Sequence, residues 1–264
     1  MKENLLRRIL TENRPSIGTR LWSAQPFFTE AAGASGNYDY IEFIAEYAPF
    51  DQYDLENIVR AAELHGLGSM IKIDFQNRAW VAQKAIASGF QGILFTDSRT
   101  AEDVEESVRM VKSDRPSSGG TFGYPNRRYI GFQPYLGQME HCDMVDQVVL
   151  AFMVEKAETM ENLDRICSVP GVDMVQFGPS DYAMSLGWNT SGHKQEVEDA
   201  QKRMIETALK HDVQPRVEIF DAPEAAKPYI ALGVKHFCFG DEVKTLQKFW
   251  NQEGAKMKAL VKGD

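Results

Sequence analysis

Residues 147–155 read QVVLAFMVE, and residues 171–181 read GVDMVQFGPSD. The first is an apolar run closed by a carboxylate. The second leaves its apolar run through Gly-Pro into Ser180-Asp181, where a helix begins. Runs this apolar, with no polar alternation, suit strands buried on both faces, as in a parallel sheet covered by helices. Further short β-like runs lie at 16–22, 39–45, 68–73, 91–96, 215–220 and 234–239, giving eight strand candidates in all. Helix-period segments separate them at 52–65, 78–88, 101–113, 158–168, 194–212 and 222–232. Thr100 and Asp221 stand before early acidic residues as N-caps, and Gly66, Gly89 and Gly233 follow helical runs as C-caps. Strand–helix alternation predicts parallel βαβ units. Eight of them favour a closed (β/α)8 TIM barrel over an open doubly wound sheet. Neither GxGxxG nor GxxxxGK[ST] occurs, so dinucleotide and P-loop readings lack support.

The length of 264 residues suits one barrel domain over 1–264. The C-terminal helix, about 241–262, carries Phe249 and Trp250 and is expected at a subunit contact. An irregular stretch from about 114 to 136 is long enough to suggest a functional loop. With 29 Lys+Arg against 38 Asp+Glu, the net charge is −9, which argues against a nucleic-acid partner. No apolar run reaches the roughly 18–20 residues of a membrane span. The opening MKENLLRRILTENRP reads as an amphipathic helix and not a signal peptide. Three cysteines without CxxC indicate neither a disulfide framework nor a cysteine-rich zinc site, and a cytoplasmic location is the default.

A barrel keeps its working residues at the C-terminal ends of the strands. That directs attention to Arg20, Glu46-Tyr47, Lys72, Thr96-Asp97, Glu155, Gly178-Pro179-Ser180-Asp181, Glu218 and Asp241. Glu155 and Asp181, at neighbouring mouths, are a natural pair for one hard divalent cation, with water and substrate oxygens completing the shell. The helix start at Ser180-Asp181 offers free N–H groups to a substrate carboxylate. From pattern alone, the same two residues read equally well as a helix cap and a surface strand end. Lys72 interrupts SMIKI, so its cation either snorkels or enters the mouth, and a Schiff-base aldolase would also need a strand lysine. Arg20 inside IGTRLW is out of place for the same reason. No HxH, HExxH or GxSxG is present.

The order of these pieces resembles the HpcH/HpaI aldolase family of metal-dependent class II pyruvate aldolases, from about residue 4 to 240. The anchors are the Gly18 strand after the opening helix, Glu46-Tyr47-Ala48-Pro49 for the family's Glu-His-Ala-Pro, Glu155 for its strand-end Glu, and Gly178-Pro179-Ser180-Asp181 for its Gly-Pro-Ala/Ser-Asp. Arg128 resembles the arginine of its Arg-Gly-x-Gly. The resemblance implies a hexamer, a trimer of dimers whose last helices swap between neighbours. It also implies a Mg, Mn or Co ion on Glu155 and Asp181 that is chelated by a 2-keto acid. The chemistry it implies is cleavage of a 4-hydroxy-2-keto acid to pyruvate and an aldehyde through the pyruvate enolate.

The chain departs from that pattern around the proton. The family's general-base His is Tyr47, its Asp partner falls at about Ala87, its Arg is Lys72, and its first-strand Trp is Arg20. Asp-Gly becomes Ile44-Ala45, and Val-Pro becomes Phe95-Thr96-Asp97. The expectation is therefore a divergent member: Tyr47 or an ion-held water moves the proton, and Lys72 stabilises the enolate. Gly178, Pro179 and Ser180 bind the substrate at its keto-acid carboxylate, and Arg20 or Arg128 contacts a second anionic or oxygenated end. The alternatives are a decarboxylase or other lyase on the same platform, and a catalytically silent keto-acid-binding barrel.

Overall fold

The computed structural model describes residues 3–220 and 222–263, so the cap expected at Asp221 lies outside the described residues. Eight strands, β1 (Ser16–Leu21), β2 (Tyr40–Ile44), β3 (Gly68–Ile73), β4 (Gly92–Phe95), β5 (Val149–Val154), β6 (Met174–Phe177), β7 (Gln214–Ile219) and β8 (His236–Asp241), close in chain order into one parallel barrel. Each lies within a residue or two of an expected run. The ring shuts where β8 pairs with β1, with Ser16 opposite His236 and a register shift between Gly18 and Arg20.

The helices are α1 (Leu5–Thr11), α2 (Pro26–Ala34), α3 (Gln52–Leu64), α4 (Arg78–Ser88), α5 (Ala101–Val111), α6 (Gln138–Val145), α7 (Ala157–Glu161), α8 (Leu163–Cys167), α9 (Pro179–Ser185), α10 (Lys194–Lys210), α11 (Lys227–Ala231) and α12 (Glu242–Lys262). Thr100 does cap α5: it accepts from the Asp103 amide while the Asp103 carboxylate returns to the Thr100 amide. Gly89 ends α4 at φ 111°, a conformation L side chains resist.

Two apolar shells follow from strand alternation. Outward side chains such as Ile41, Phe43, Ile71, Ile93 and Val175 pack against the helices. Inward, Tyr40, Met70, Leu94, Val149 and Met174 fill the N-terminal half of the barrel, and Leu6 and Leu10 of α1 close it from below. Arg7 locks α1 there through a bidentate pair with Asp173 at 2.6 and 2.7 Å. This end is therefore plugged, which leaves the C-terminal mouth to receive a ligand. The helix α12 is different: none of its residues is buried, and Phe249, Trp250, Met257, Leu260 and Val261 face outward. Among the described residues no helix is long and apolar enough to cross a membrane.

Candidate active site

Above the plug the barrel interior turns polar. Glu42 on β2 and Arg216 on β7 are both fully buried and pair with one another. Arg216 also donates to the Tyr40 hydroxyl at 2.6 Å and to the Gln176 side-chain oxygen. Gln176 Nε2 donates to Glu218 Oε1 at 2.6 Å. Arg20 closes the ring, with Nε 3.2 Å from Glu42 Oε1 and its second nitrogen on Glu218. Two arginines thus meet two glutamates, so the buried set carries no net charge. Charge in such a place is tolerable only when paired and hydrogen-bonded. Arg216 and Arg20 hold the Glu42 carboxyl below the usual range, against the opposing pull of burial, which is the largest influence on it.

The mouth lies over this ring. Glu155 leaves β5 only 2% exposed, and its Oε1 accepts from the Asp97 amide at 2.9 Å. Burial pushes its carboxyl up to about 7, with Lys72 pulling the other way. Gly178, at the exit of β6, packs against it so closely that a Cβ there would stand 2.7 Å from the Glu155 Cβ and 2.9 Å from its Oε2. Only glycine fits. Pro179 then opens α9, which presents Ser180 and Asp181 in its first turn. On β3, Lys72 points into the mouth and binds Glu46 Oε2 at 2.6 Å, both side chains being under a tenth exposed. Tyr47 is more open; its ring stacks on Trp22 at 6.2 Å and lies 5.8 Å from the Lys72 ammonium. Burial of its hydroxyl, then the Glu46 carboxylate bonded to it, with Asp181 and Glu155 adding to both, raises the phenol above its ordinary value.

Glu155 and Asp181 could hold a divalent cation: a buried carboxylate driven toward protonation is the group a cation would relieve. Among the described residues no group of three or more His, Cys, Asp or Glu is placed to hold a metal ion. Such an ion would therefore keep positions open to water and substrate oxygens.

A sequence profile of the HpcH/HpaI aldolase/citrate lyase family matches residues 21–247. The chain belongs to this family. It is 25% identical to a hydroxypyruvate/pyruvate aldolase of Paraburkholderia phytofirmans, over 84% of this chain and 85% of that one. It is 27% identical to a 2-keto-3-deoxy-L-rhamnonate aldolase of Escherichia coli, over 98% and 95%. The crystal structure of an HpcH/HpaI aldolase from Desulfitobacterium hafniense superposes with a TM-score of 0.86, at 21% identity and 96% coverage of both chains, and shows the same fold.

Within this HpcH/HpaI framework, Tyr47, Lys72, Glu155, Gly178, Pro179, Ser180 and Asp181 share the mouth. Two expected contacts do not come to it as imagined. Arg128 sits in a 3-10 turn in the stretch before β5 and donates to Ser88 O at 3.2 Å and to Glu63 at 2.6 Å. Ser88 and Glu63 lie at the C-terminal ends of α4 and α3, which is the plugged end of the barrel. The stretch 114–136, which contains this turn, links α5 to α6 on that side, away from the mouth. Arg20 does reach upward, but its guanidinium is committed to Glu42 and Glu218 and so belongs to the ring beneath the site. Glu42, Gln176, Arg216 and Lys156 were not singled out from the sequence. Glu42 and Arg216 were nonetheless visible as charges at inward positions of apolar strands, in YIEFI and PRVEI.

Proposed function

We propose that this chain is a divalent-metal-dependent aldolase that cleaves a 4-hydroxy-2-keto acid into pyruvate and an aldehyde. The observation that carries the reading is the meeting of Glu155 and Asp181 with the Lys72–Glu46 pair at one barrel mouth. Relatives named hydroxypyruvate/pyruvate aldolase and 2-keto-3-deoxy-L-rhamnonate aldolase support the substrate class.

Glu155 and Asp181 would hold the ion, Mg, Mn or Co, which would supply Lewis-acid chemistry at the keto oxygen. The first-turn amides at Ser180 and Asp181, exposed by the Gly178-Pro179 exit, take the substrate carboxylate. Lys72, fixed by Glu46, faces the negative charge that develops as the C3–C4 bond breaks. Tyr47, with its raised pKa, keeps its proton at neutral pH and so is not a free base. Its hydroxyl can relay: Oη receives the substrate's 4-hydroxyl proton while its own proton passes to Glu46. The reverse transfer then protonates C3 of the enolate, so that pyruvate and aldehyde leave with the protons balanced.

The test is to incubate purified protein and Mn2+ with pyruvate and a panel of aldehydes, and to follow adducts by NMR. Aldol adducts with a new C3–C4 bond are expected. No adduct with any aldehyde removes the aldolase reading, and release of CO2 from a keto acid would put a decarboxylase in its place. We further propose that the protein is a homo-oligomer, a hexamer built as a trimer of dimers, with the apolar side of α12 in the subunit interface. Light scattering of the wild type and of Trp250→Glu tests this. We place the enzyme in the cytoplasm, where its three buried free cysteines would stay reduced.

A further inference from the structure

Lys156 follows Glu155 directly where β5 opens into the mouth, and its side chain is 12% exposed. Its Nζ lies 2.6 Å from Asp97 Oδ1 and 3.9 Å from Asp181 Oδ1. Asp97 in turn donates its amide to Glu155 Oε1 at 2.9 Å. One ammonium therefore stands among three carboxylates brought together from the exits of β4, β5 and β6. Asp97 can serve both neighbours because its backbone takes φ 54°, a left-handed conformation that a short polar side chain tolerates. Burial opposes the Lys156 charge most strongly, yet Asp97, Glu155 and Asp181 more than offset it and hold the ammonium above the ordinary lysine value.

The mouth's charges can be counted from these contacts. Glu46, Asp97, Glu155 and Asp181 face Lys72 and Lys156, so with all four carboxylates ionised, as cation binding requires, the surplus is two negative charges. One divalent cation neutralises that surplus. Without Lys156 the surplus would be three, and the pull on the cation stronger.

We propose that Lys156 is a built-in counter-ion of the mouth, one that lowers the affinity of Glu155 and Asp181 for a divalent cation. The inference rests on the reading of those two carboxylates as the ion-holding pair. A unit charge a few ångströms from a divalent ion, in a partly solvated cleft, is worth on the order of tenfold in affinity. Asp97 is the other half of the device: it keeps the lysine in place and adds back a negative charge.

The experiment is isothermal titration of the purified full chain with Mn2+ alone, without substrate, and thermal melts to check that each variant is folded. Lys156→Met is expected to bind Mn2+ about tenfold more tightly than the wild type, and Lys156→Arg within about twofold of it. Asp97→Asn is expected to bind more weakly, and Asp97→Asn/Lys156→Met to return close to the wild type. Equal affinity in the wild type and Lys156→Met overturns the inference while leaving the ion pair standing. Tightening by Lys156→Arg as large as that by Lys156→Met overturns it too, since charge would then not be the cause. If neither the wild type nor Lys156→Met binds Mn2+ even at millimolar concentration, the reading of Glu155 and Asp181 fails and takes the inference with it. Binding by Lys156→Met alone supports the proposal in its strongest form.

Discussion

Glu42→Gln takes one negative charge out of the ring that joins Arg20, Glu42, Arg216, Gln176 and Glu218, and leaves two guanidinium groups facing a single carboxylate. Glu42 and Arg216 are both completely buried, so no solvent can screen the surplus. Breaking a buried pair by removing one partner costs roughly 3–5 kcal/mol, because the remaining charge keeps its desolvation penalty. For 264 residues the unfolding entropy near the midpoint is about 0.55 kcal/mol per kelvin, so the expected loss in Tm is ~5–9 °C. Differential scanning fluorimetry at pH 7.5 measures it directly. The decisive control is Glu42→Leu/Arg216→Met, which removes the pair together. It is expected to recover much of the lost stability, since apolar replacement of a whole buried pair is often neutral. A loss of under 2 °C in Glu42→Gln would refute the reasoning. So would a double variant less stable than the sum of its two single changes.

Three other perturbations test different parts of the molecule. His236, 1% exposed and bonded to Ser16 at 2.9 Å, is held down to about 4 by burial, with Arg216 and Lys235 adding to the effect. Above about pH 6.5 both folded and unfolded states are neutral at this residue. As pH falls toward 4 the unfolded chain takes a proton that the folded chain refuses, so stability drops by up to ~3 kcal/mol. Melts at pH 7 and 4.5 should show a smaller drop in His236→Asn, and an equal drop in both proteins would count against this assignment. Gly178→Ala inserts a methyl against the Glu155 side chain and is expected to weaken Mn2+ binding at least tenfold, at a stability cost of about 1–3 kcal/mol. Unchanged Mn2+ titration would place Glu155 outside the ion site. Lys72→Met should lower kcat by about 10²–10³ if the ammonium stabilises developing charge, and a change in KM alone would make it a binding group.

The strands β2 to β6 were legible because each is buried on both faces and therefore announces itself as an apolar run with sharp polar ends, while β1, β7 and β8, partly exposed, were legible from their β-branched and aromatic residues. The helices were legible where a continuous apolar stripe exists, and less so where side chains compete with the backbone. The segment 158–168 splits into α7 and α8 at Asn162, whose amide donates to Arg99 O and Glu158 O. In QPFFTEAAGASG only Pro26, at the first helical position, marks α2, which has no side-chain N-cap and carries Gly33 near its end. At the mouth, strand ends located the residues, since position along a barrel strand fixes which end a side chain serves. Partnerships were not legible. Arg216 and Tyr40 are 176 residues apart in the chain, and no local pattern shows that Arg20 will be held by two carboxylates. Arg128 shows the same limit in reverse, because a local resemblance of Arg128-Tyr129-Ile130-Gly131 to Arg-Gly-x-Gly says nothing of where an irregular stretch carries it.

The departures in this chain are therefore coupled. An arginine at position 20 brings a cation beneath the mouth, and the barrel accommodates it because Glu42 and Glu218 meet it and Arg216 balances the second carboxylate. Lys72 brings another, met by Glu46, and Lys156 a third, met by Asp97. Each cation has its own carboxylate, and Glu155 and Asp181 are the two left over. A site divided in this way can exchange one residue for its family counterpart only with its partner. Arg20→Trp alone would strand the Glu42 and Glu218 carboxylates over a single guanidinium and should destabilise the barrel, whereas Arg20→Trp with Glu218→Gln should restore it. If Arg20→Trp were as stable as the wild type, the charges would be independent ornaments of the strands and not one interlocked set.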